Sequence, residues 1–250
     1  MKTHHERKRC GKAGRRLNHS GCNEKMNKKY KTMIFDLDGT LLDTLDDLWH
    51  AVNHGMQENG LPSIERKTCA DNLGHGIEYL IRRSVPEGTD EETTMQTLAS
   101  FRDYYAAHDE EETRTFDGMT EVLQEMRRRG IGMAIVSNKF DRAVKELCAH
   151  YFEGLIELAV GESETVKKKP APDAVLKSMH LLGAEKAETV YVGDSEVDAQ
   201  TAQNAGLDCI LCDWGMRSRD RLVGEKAIAI ISRPSQLLDY VVPEEEKACN

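Results

Sequence analysis

Short apolar runs alternate with helical stretches along this chain, and that alternation leaves it few folds to adopt. Strand-like runs lie at 33–38, 132–138, 156–161, 189–194, 208–214 and 227–232. Val, Ile and Leu are frequent in them, as in parallel strands covered on both faces. The stretches between carry helical spacing. Met119, Val122, Leu123 and Met126 form one stripe, with Gly130 as a stop; Ala143, Val144, Leu147 and Tyr151 form a second. Ala174, Val175, Met179 and Leu182 form a third, closed by Gly183, with Pro172 suited to its first turn. Alternation of this kind predicts an α/β fold: a Rossmann-like open parallel sheet with helices on both faces and right-handed crossovers.

One segment breaks the rhythm. Roughly 75 residues between the first strand and Asp117-Gly118 hold no convincing strand. Leu45, Leu48, Trp49, Val52 and Met56 share one helix face, ended by Gly60-Leu61-Pro62. Ile77, Leu80 and Ile81 mark a second helix. Met95, Leu98, Phe101 and Tyr105 mark a third, with Thr89 or Asp90 as its cap. A crossover needs far less chain. Residues 46–114 are therefore expected to form an inserted all-helical cap domain, with 32–45 and 115–242 as the catalytic core. The cap should sit over the carboxyl end of the first strand, where open α/β sheets bind ligands.

Composition narrows the partners. The formal net charge of −9 hides an asymmetry. Residues 1–31 carry eleven Lys/Arg against two acids, a formal +9, and the rest of the chain carries −18. The first 31 residues have one aromatic and almost no aliphatics, so they are expected to be a disordered basic tail. His4, His5, Cys10, His19 and Cys22 match no standard zinc-finger spacing. The acidic body speaks against nucleic-acid binding. No apolar run approaches the roughly 20 residues of a membrane span, and the positive N-terminus has no apolar core of a signal peptide. Seven scattered cysteines read as reduced thiols in a cytoplasmic protein. Cys209 and Cys212 make a CxxC by count, but on a strand the pair faces opposite sides.

The candidate chemistry lies at strand ends. In Met33-Ile34-Phe35-Asp36-Leu37-Asp38-Gly39-Thr40, apolar residues run into two acids one position apart, which a continuous strand would point the same way. Such a pair is expensive to bury without a cation or a chemical role. Ser137-Asn138-Lys139 ends the second strand with a hydroxyl and backbone N–H groups; Ser137 by itself would also serve as a helix cap. Lys167, Lys168 and Lys169 precede Pro170-Ala171-Pro172. Gly193-Asp194-Ser195-Glu196-Val197-Asp198 ends a later strand; Asp198 also suits a helix first turn, and Glu196 reads as solvated. A parallel sheet gathers all these ends on one edge. Trp214-Gly215 with Arg217-Ser218 reads as structural. In the insertion, Leu73-Gly74-His75-Gly76 is an irregular loop whose His75 either reaches substrate or is solvated. Arg82 and Arg83 read as a solvated helix surface, though they could pair a substrate carboxylate.

These four stretches in this order, with a helical insertion after the first, resemble the haloacid dehalogenase-like hydrolase superfamily. Within it, they resemble the phosphoglycolate phosphatase-like branch, over residues 32–240. The resemblance implies Asp36 as a nucleophile that takes the phosphoryl group and Asp38 as acid and base. It implies Ser137, with Asn138 beside it, and Lys169 as phosphate-binding groups, Lys169 being chosen over its lysine neighbours because it directly precedes the proline loop. Mg²⁺ is implied as cofactor, held by Asp36, the main-chain carbonyl of Asp38, and Asp194, with Asp198 orienting Lys169 or a bound water. Gly74, His75 and Gly76 would contribute to specificity. The expected activity is hydrolysis of a small phosphorylated metabolite, with phosphoglycolate first. A β-phosphoglucomutase-like transferase, a pyrophosphatase, or a catalytically retired binding protein are the alternatives.

Overall fold

The computed structural model describes residues 28–243. In chain order the elements begin with β1 (Thr32–Phe35), β2 (Leu42–Asp43), α1 (Leu45–Glu58), α2 (Arg66–Asn72), α3 (Ile77–Ser84) and α4 (Glu91–His108). There follow β3 (Arg114–Thr115), α5 (Met119–Arg128), β4 (Gly132–Phe140), α6 (Asp141–Phe152), β5 (Leu158–Glu162) and α7 (Asp173–Leu182). The chain closes with β6 (Thr189–Gly193), α8 (Glu196–Ala205), β7 (Asp208–Cys212), α9 (Arg219–Leu222) and β8 (Ala229–Ile231). Six strands form one sheet in the order β5-β4-β1-β6-β7-β8, and every pairing in it is parallel. This is the open sheet the alternation predicts.

Alternation along each strand feeds two cores. Met33, Phe35, Met133, Ile135, Val190 and Val192 face one side, against α5 and α6. Ile34, Ala134, Val136 and Tyr191 face the other, against α7 and α8. Cys212 joins the first core and Cys209 the second, as an i,i+3 pair on a strand must. Asp90, not Thr89, caps α4: its carboxylate accepts from the Thr93 N–H at 2.8 Å. Pro172 stands just before α7 rather than inside its first turn.

The chain between β2 and β3 is helical, and α1 to α4 share a third core of their own. Leu48, Val52, Met56, Leu80, Ile81, Leu98 and Phe101 are nearly or fully buried in it. Gly55 lets α1 and α4 approach closely: a Cβ there would meet the Thr97 carbonyl at 2.7 Å. The helical insertion of the expected fold is thus present, with a core separate from those of the sheet.

The expected tail needs a correction at its end. Residues 1–27 lie outside the described residues, but Tyr30 is fully buried in the first core. Its N–H donates to the Tyr240 carbonyl at 2.7 Å and its hydroxyl to Asp208 at 3.0 Å, while Lys28 pairs with Asp208 at 2.7 Å. One aromatic in a basic stretch gives no periodicity to read, so its partners decide its place.

Candidate active site

β1 ends at Phe35, and the chain turns at once. Asp36 accepts from the Leu37 N–H at 2.7 Å, and Gly39, at φ 82°, bends the backbone back. Gly39 also leaves room for Asp194: a Cβ there would lie 2.5 Å from the Asp194 Oδ2, and so would one at Gly215. β4 and β6 flank β1, so their carboxyl ends bring Ser137, Asn138, Lys139 and Asp194 to the same edge. The loop before α7 adds Lys169, whose bond to Pro170 is cis. A cavity of about 40 Å³ lies where these meet, lined by Asp36, Asp38, Ser137, Asn138, Lys139, Lys169, Asp194 and Ser195. Leu48, Leu73, Gly74, Gly76 and Ile77 of the helical insertion line it as well, with Met216 and Arg217 from the loop after β7.

Lys169 is the electrostatic centre. Its ammonium lies 2.7 Å from Asp36 and 2.8 Å from Asp198, and it also donates to the Tyr191 hydroxyl at 3.3 Å. All three of its protons are engaged. Lys168, its register rival, pairs with Glu162 instead. Asp198 is fully buried and its oxygens are spoken for by Lys169, Tyr191 and Ser195; Ser195 caps α8 in a reciprocal box with it.

Ligand oxygens of Asp36, Asp194 and Asp198 all lie within 4.8 Å of one another. Three buried carboxylates against one ammonium leave a surplus of negative charge. Burial, then Asp198, pushes Asp36 well above the usual carboxylate range despite Lys169. Burial and Asp198 push Asp194 up to about 7. Burial would raise Asp198 too, but the Lys169 charge together with the hydrogen bonds from Lys169, Ser195 and Tyr191 outweighs it and holds the group low. Hard, anionic oxygens gathered in this way suit a small divalent cation such as Mg²⁺. The donor set therefore fits the expected cofactor, with Asp36 and Asp194 as the carboxylates least committed to protein partners.

Asp38 is set apart from that cluster. Its Oδ1 accepts from Thr44 at 2.8 Å and from the Lys139 ammonium at 3.0 Å; Ser137 reaches Oδ2 at 3.4 Å. Burial raises its pKa, but Lys139 and Thr44 more than compensate and keep the carboxyl below its usual range.

The other expected residues divide. Ser137 lines the cavity. Asn138 does too, but its amide is a strut: it donates to the carbonyls of Gly74 at 2.9 Å and Lys169 at 3.0 Å and accepts from the Lys169 N–H at 2.6 Å. Gly74 and Gly76 line the cavity with φ of 109° and 89°. His75 is not among the lining residues; its ring lies 4.7 Å from that of Tyr79. Arg82 pairs with Glu78 and Glu91 on the surface.

Two residues at the site carry more than the sequence signals. Lys139 is buried against Asp38 and Tyr105. Arg217 is 2% exposed and donates to the carbonyls of Ala70 and Leu73, so the core clamps the insertion's loop; Glu196, expected in solvent, pairs with it at 3.0 Å. A charged residue beside Trp-Gly in a loop gave no pattern to distinguish it. Only the carbonyls it meets do so.

Comparison with known proteins agrees with this geometry. Residues 33–212 match the family described as haloacid dehalogenase-like hydrolase. The chain is 33% identical over 191 residues to a phosphoglycolate phosphatase of Pseudomonas putida, covering 74% of this chain and 70% of that one. It is 33% identical over 200 residues to a phosphoglycolate phosphatase of Thiobacillus denitrificans, covering 78% and 88%. A crystal structure of a candidate phosphoglycolate phosphatase from Lactobacillus delbrueckii subsp. bulgaricus superposes with a TM-score of 0.82 at 31% identity, over 86% of this chain and all of that one. The chain belongs to the haloacid dehalogenase-like hydrolases, in their phosphoglycolate phosphatase-like branch.

Proposed function

We propose that the protein is a Mg²⁺-dependent phosphatase that hydrolyses a small phosphate monoester through a phosphoryl-aspartate on Asp36, with phosphoglycolate as the first-choice substrate. The observation that carries this reading is the cavity itself. It joins a buried carboxylate pinned by a lysine to a second, separately held carboxylate, under an insertion that leaves about 40 Å³.

The residues divide the work. Asp36 and Asp194, with the main-chain carbonyl of Asp38, would hold the cation. When bound, the cation neutralises the carboxylates and the substrate's phosphate oxygens. Lys169 draws charge from the transferring oxygens, and Ser137 with neighbouring N–H groups donates to them. Asp198 keeps Lys169 in place. The Asp36 oxygen attacks phosphorus in line while the bond to the leaving oxygen breaks. Asp38 gives its proton to that oxygen, and the dianionic phosphate beside it favours the protonated form by like-charge repulsion. The alcohol leaves. Asp38 then takes a proton from water as the water oxygen attacks phosphorus, which releases phosphate and restores Asp36.

The likeness to proteins named phosphoglycolate phosphatase favours a small leaving group over a hexose phosphate, and so hydrolase over mutase. The complete set of acids favours an enzyme over a retired binding protein. The test is phosphate release by the purified chain from phosphoglycolate, β-glucose 1-phosphate and pyrophosphate, with Mg²⁺ or with a chelator. Phosphoglycolate should give the highest kcat/KM, and chelation should stop release. Asp36→Asn should lower kcat by at least about 10³-fold with an unchanged circular dichroism spectrum. Substantial turnover by that variant would overturn the nucleophile, and a preference for pyrophosphate would overturn the substrate.

A further inference from the structure

We propose that Lys139 is a positioning residue: gripped by Tyr105 of the helical insertion, it fixes the Asp38 carboxylate so that one oxygen faces the leaving group. The proposal rests on the acid role assigned to Asp38 above.

The geometry is asymmetric in a useful way. Thr44 and Lys139 both donate to Oδ1 of Asp38, at 2.8 and 3.0 Å. Oδ2 has one long contact, 3.4 Å from the Ser137 hydroxyl. The carboxylate torsion of an aspartate is broad when nothing holds it. Here one oxygen is pinned by two donors, which leaves the other available to the cavity, and a group that must hand over a proton needs that presentation.

Lys139 is in turn fixed from the other side. Its ammonium donates to the Tyr105 hydroxyl at 2.7 Å and lies 4.8 Å from the centre of that ring. Its own N–H donates to Ser137 Oγ at 3.1 Å. A lysine on a long flexible stem is a poor locator unless its head is held, and Tyr105 holds it. Tyr105 belongs to α4, in the insertion's core. The orientation of Asp38 therefore depends on α4 being docked over the site. Lys169, the other lysine in the cavity, has all its protons engaged elsewhere and does not reach Asp38 by any hydrogen bond among the described residues.

A lysine that merely balanced the charge of the bound phosphate would affect both substrates alike. A lysine that positions the acid matters only where the leaving group needs a proton. Phosphoglycolate loses an alkoxide-like oxygen, whereas acetyl phosphate, similar in size, loses acetate, which leaves unprotonated. The measurement is kcat/KM for both, which reports the steps through loss of the leaving group and not the later hydrolysis of the phosphoryl-aspartate. For Lys139→Met, phosphoglycolate should fall about 100-fold and acetyl phosphate no more than about fivefold. Tyr105→Phe should show the same bias, with phosphoglycolate falling about fivefold, and Lys139→Arg should recover part of the loss. If Lys139→Met does not fold by circular dichroism, Tyr105→Phe and Lys139→Arg decide. Asp38→Asn calibrates the comparison. A substrate-dependent loss there beside equal losses for the Lys139 and Tyr105 variants would overturn the positioning role alone. Equal losses for Asp38→Asn would overturn the acid role and the positioning role together.

Discussion

Arg217 illustrates how a single side chain can join two cores. Its guanidinium is buried, and it bonds the carbonyls of Ala70 and Leu73 at the end of α2, with Glu196 as counter-ion. Arg217→Met keeps the stem but removes the donor to the Leu73 carbonyl and one of two donors to the Ala70 carbonyl, which keeps the Leu73 N–H at 3.3 Å. The expected cost is about 1–3 kcal/mol, because the Leu73 carbonyl loses its donor while Glu196 is partly exposed and can rehydrate. A melting curve should show the drop, and KM should rise more than kcat falls, since the loop that roofs the cavity is loosened. Equal stability of variant and parent would show that the clamp carries no weight. The contrast with Asp36, Asp38, Lys169 and Asp194 is instructive. Asp36, Asp38 and Asp194 were legible because they follow strand ends, which a parallel sheet must collect, and Lys169 because it directly precedes the proline loop. Lys139 and Arg217 were not, because their partners are Tyr105 on a distant helix and two main-chain carbonyls, and no spacing encodes either.

Among the elements, the strands of the sheet were readable as short apolar runs and α5, α6 and α7 from helical spacing, while α8 had no stripe to read; Met119, Val122, Leu123 and Met126 fall on the buried face of α5 as spaced. The segment before β1 was not. Tyr30 pairs with Val241 in a parallel bridge and brings the two ends of the described chain side by side. Its ring fills the core that α5 supports. Tyr30→Ala should cost about 3–5 kcal/mol through the lost burial and the cavity left behind. Thermal unfolding would register this as a shift of roughly 10 °C. A shift within error would mean that the bridge is dispensable.

At the scale of the molecule, the buried carboxylates tie stability to pH, and the proposed cation site ties it to Mg²⁺ as an expected outcome. With no cation bound, Asp194 is pushed up to about 7, so between about pH 4 and 7 the folded protein keeps a proton that the unfolded chain releases. The stability this group contributes is complete below about pH 4 and lost as pH rises through about 7. Asp36 acts in the same direction. Mg²⁺ should therefore raise the melting temperature little at about pH 5, where protons compete for its ligands. At about pH 8 the gain should reach about 5–10 °C at saturating cation. A gain independent of pH between these limits would contradict the assignment of Asp36 and Asp194 as ligands. Among the described residues no helix is long and apolar enough to cross a membrane.

The bonds across the roof of the cavity have a further consequence. Asn138 to Gly74, Arg217 to Leu73 and Lys139 to Tyr105 tie the sheet's edge to the helices above it. The cavity beneath them measures about 40 Å³. The contacts that hold the site's residues are thus also the contacts that hold the roof over them.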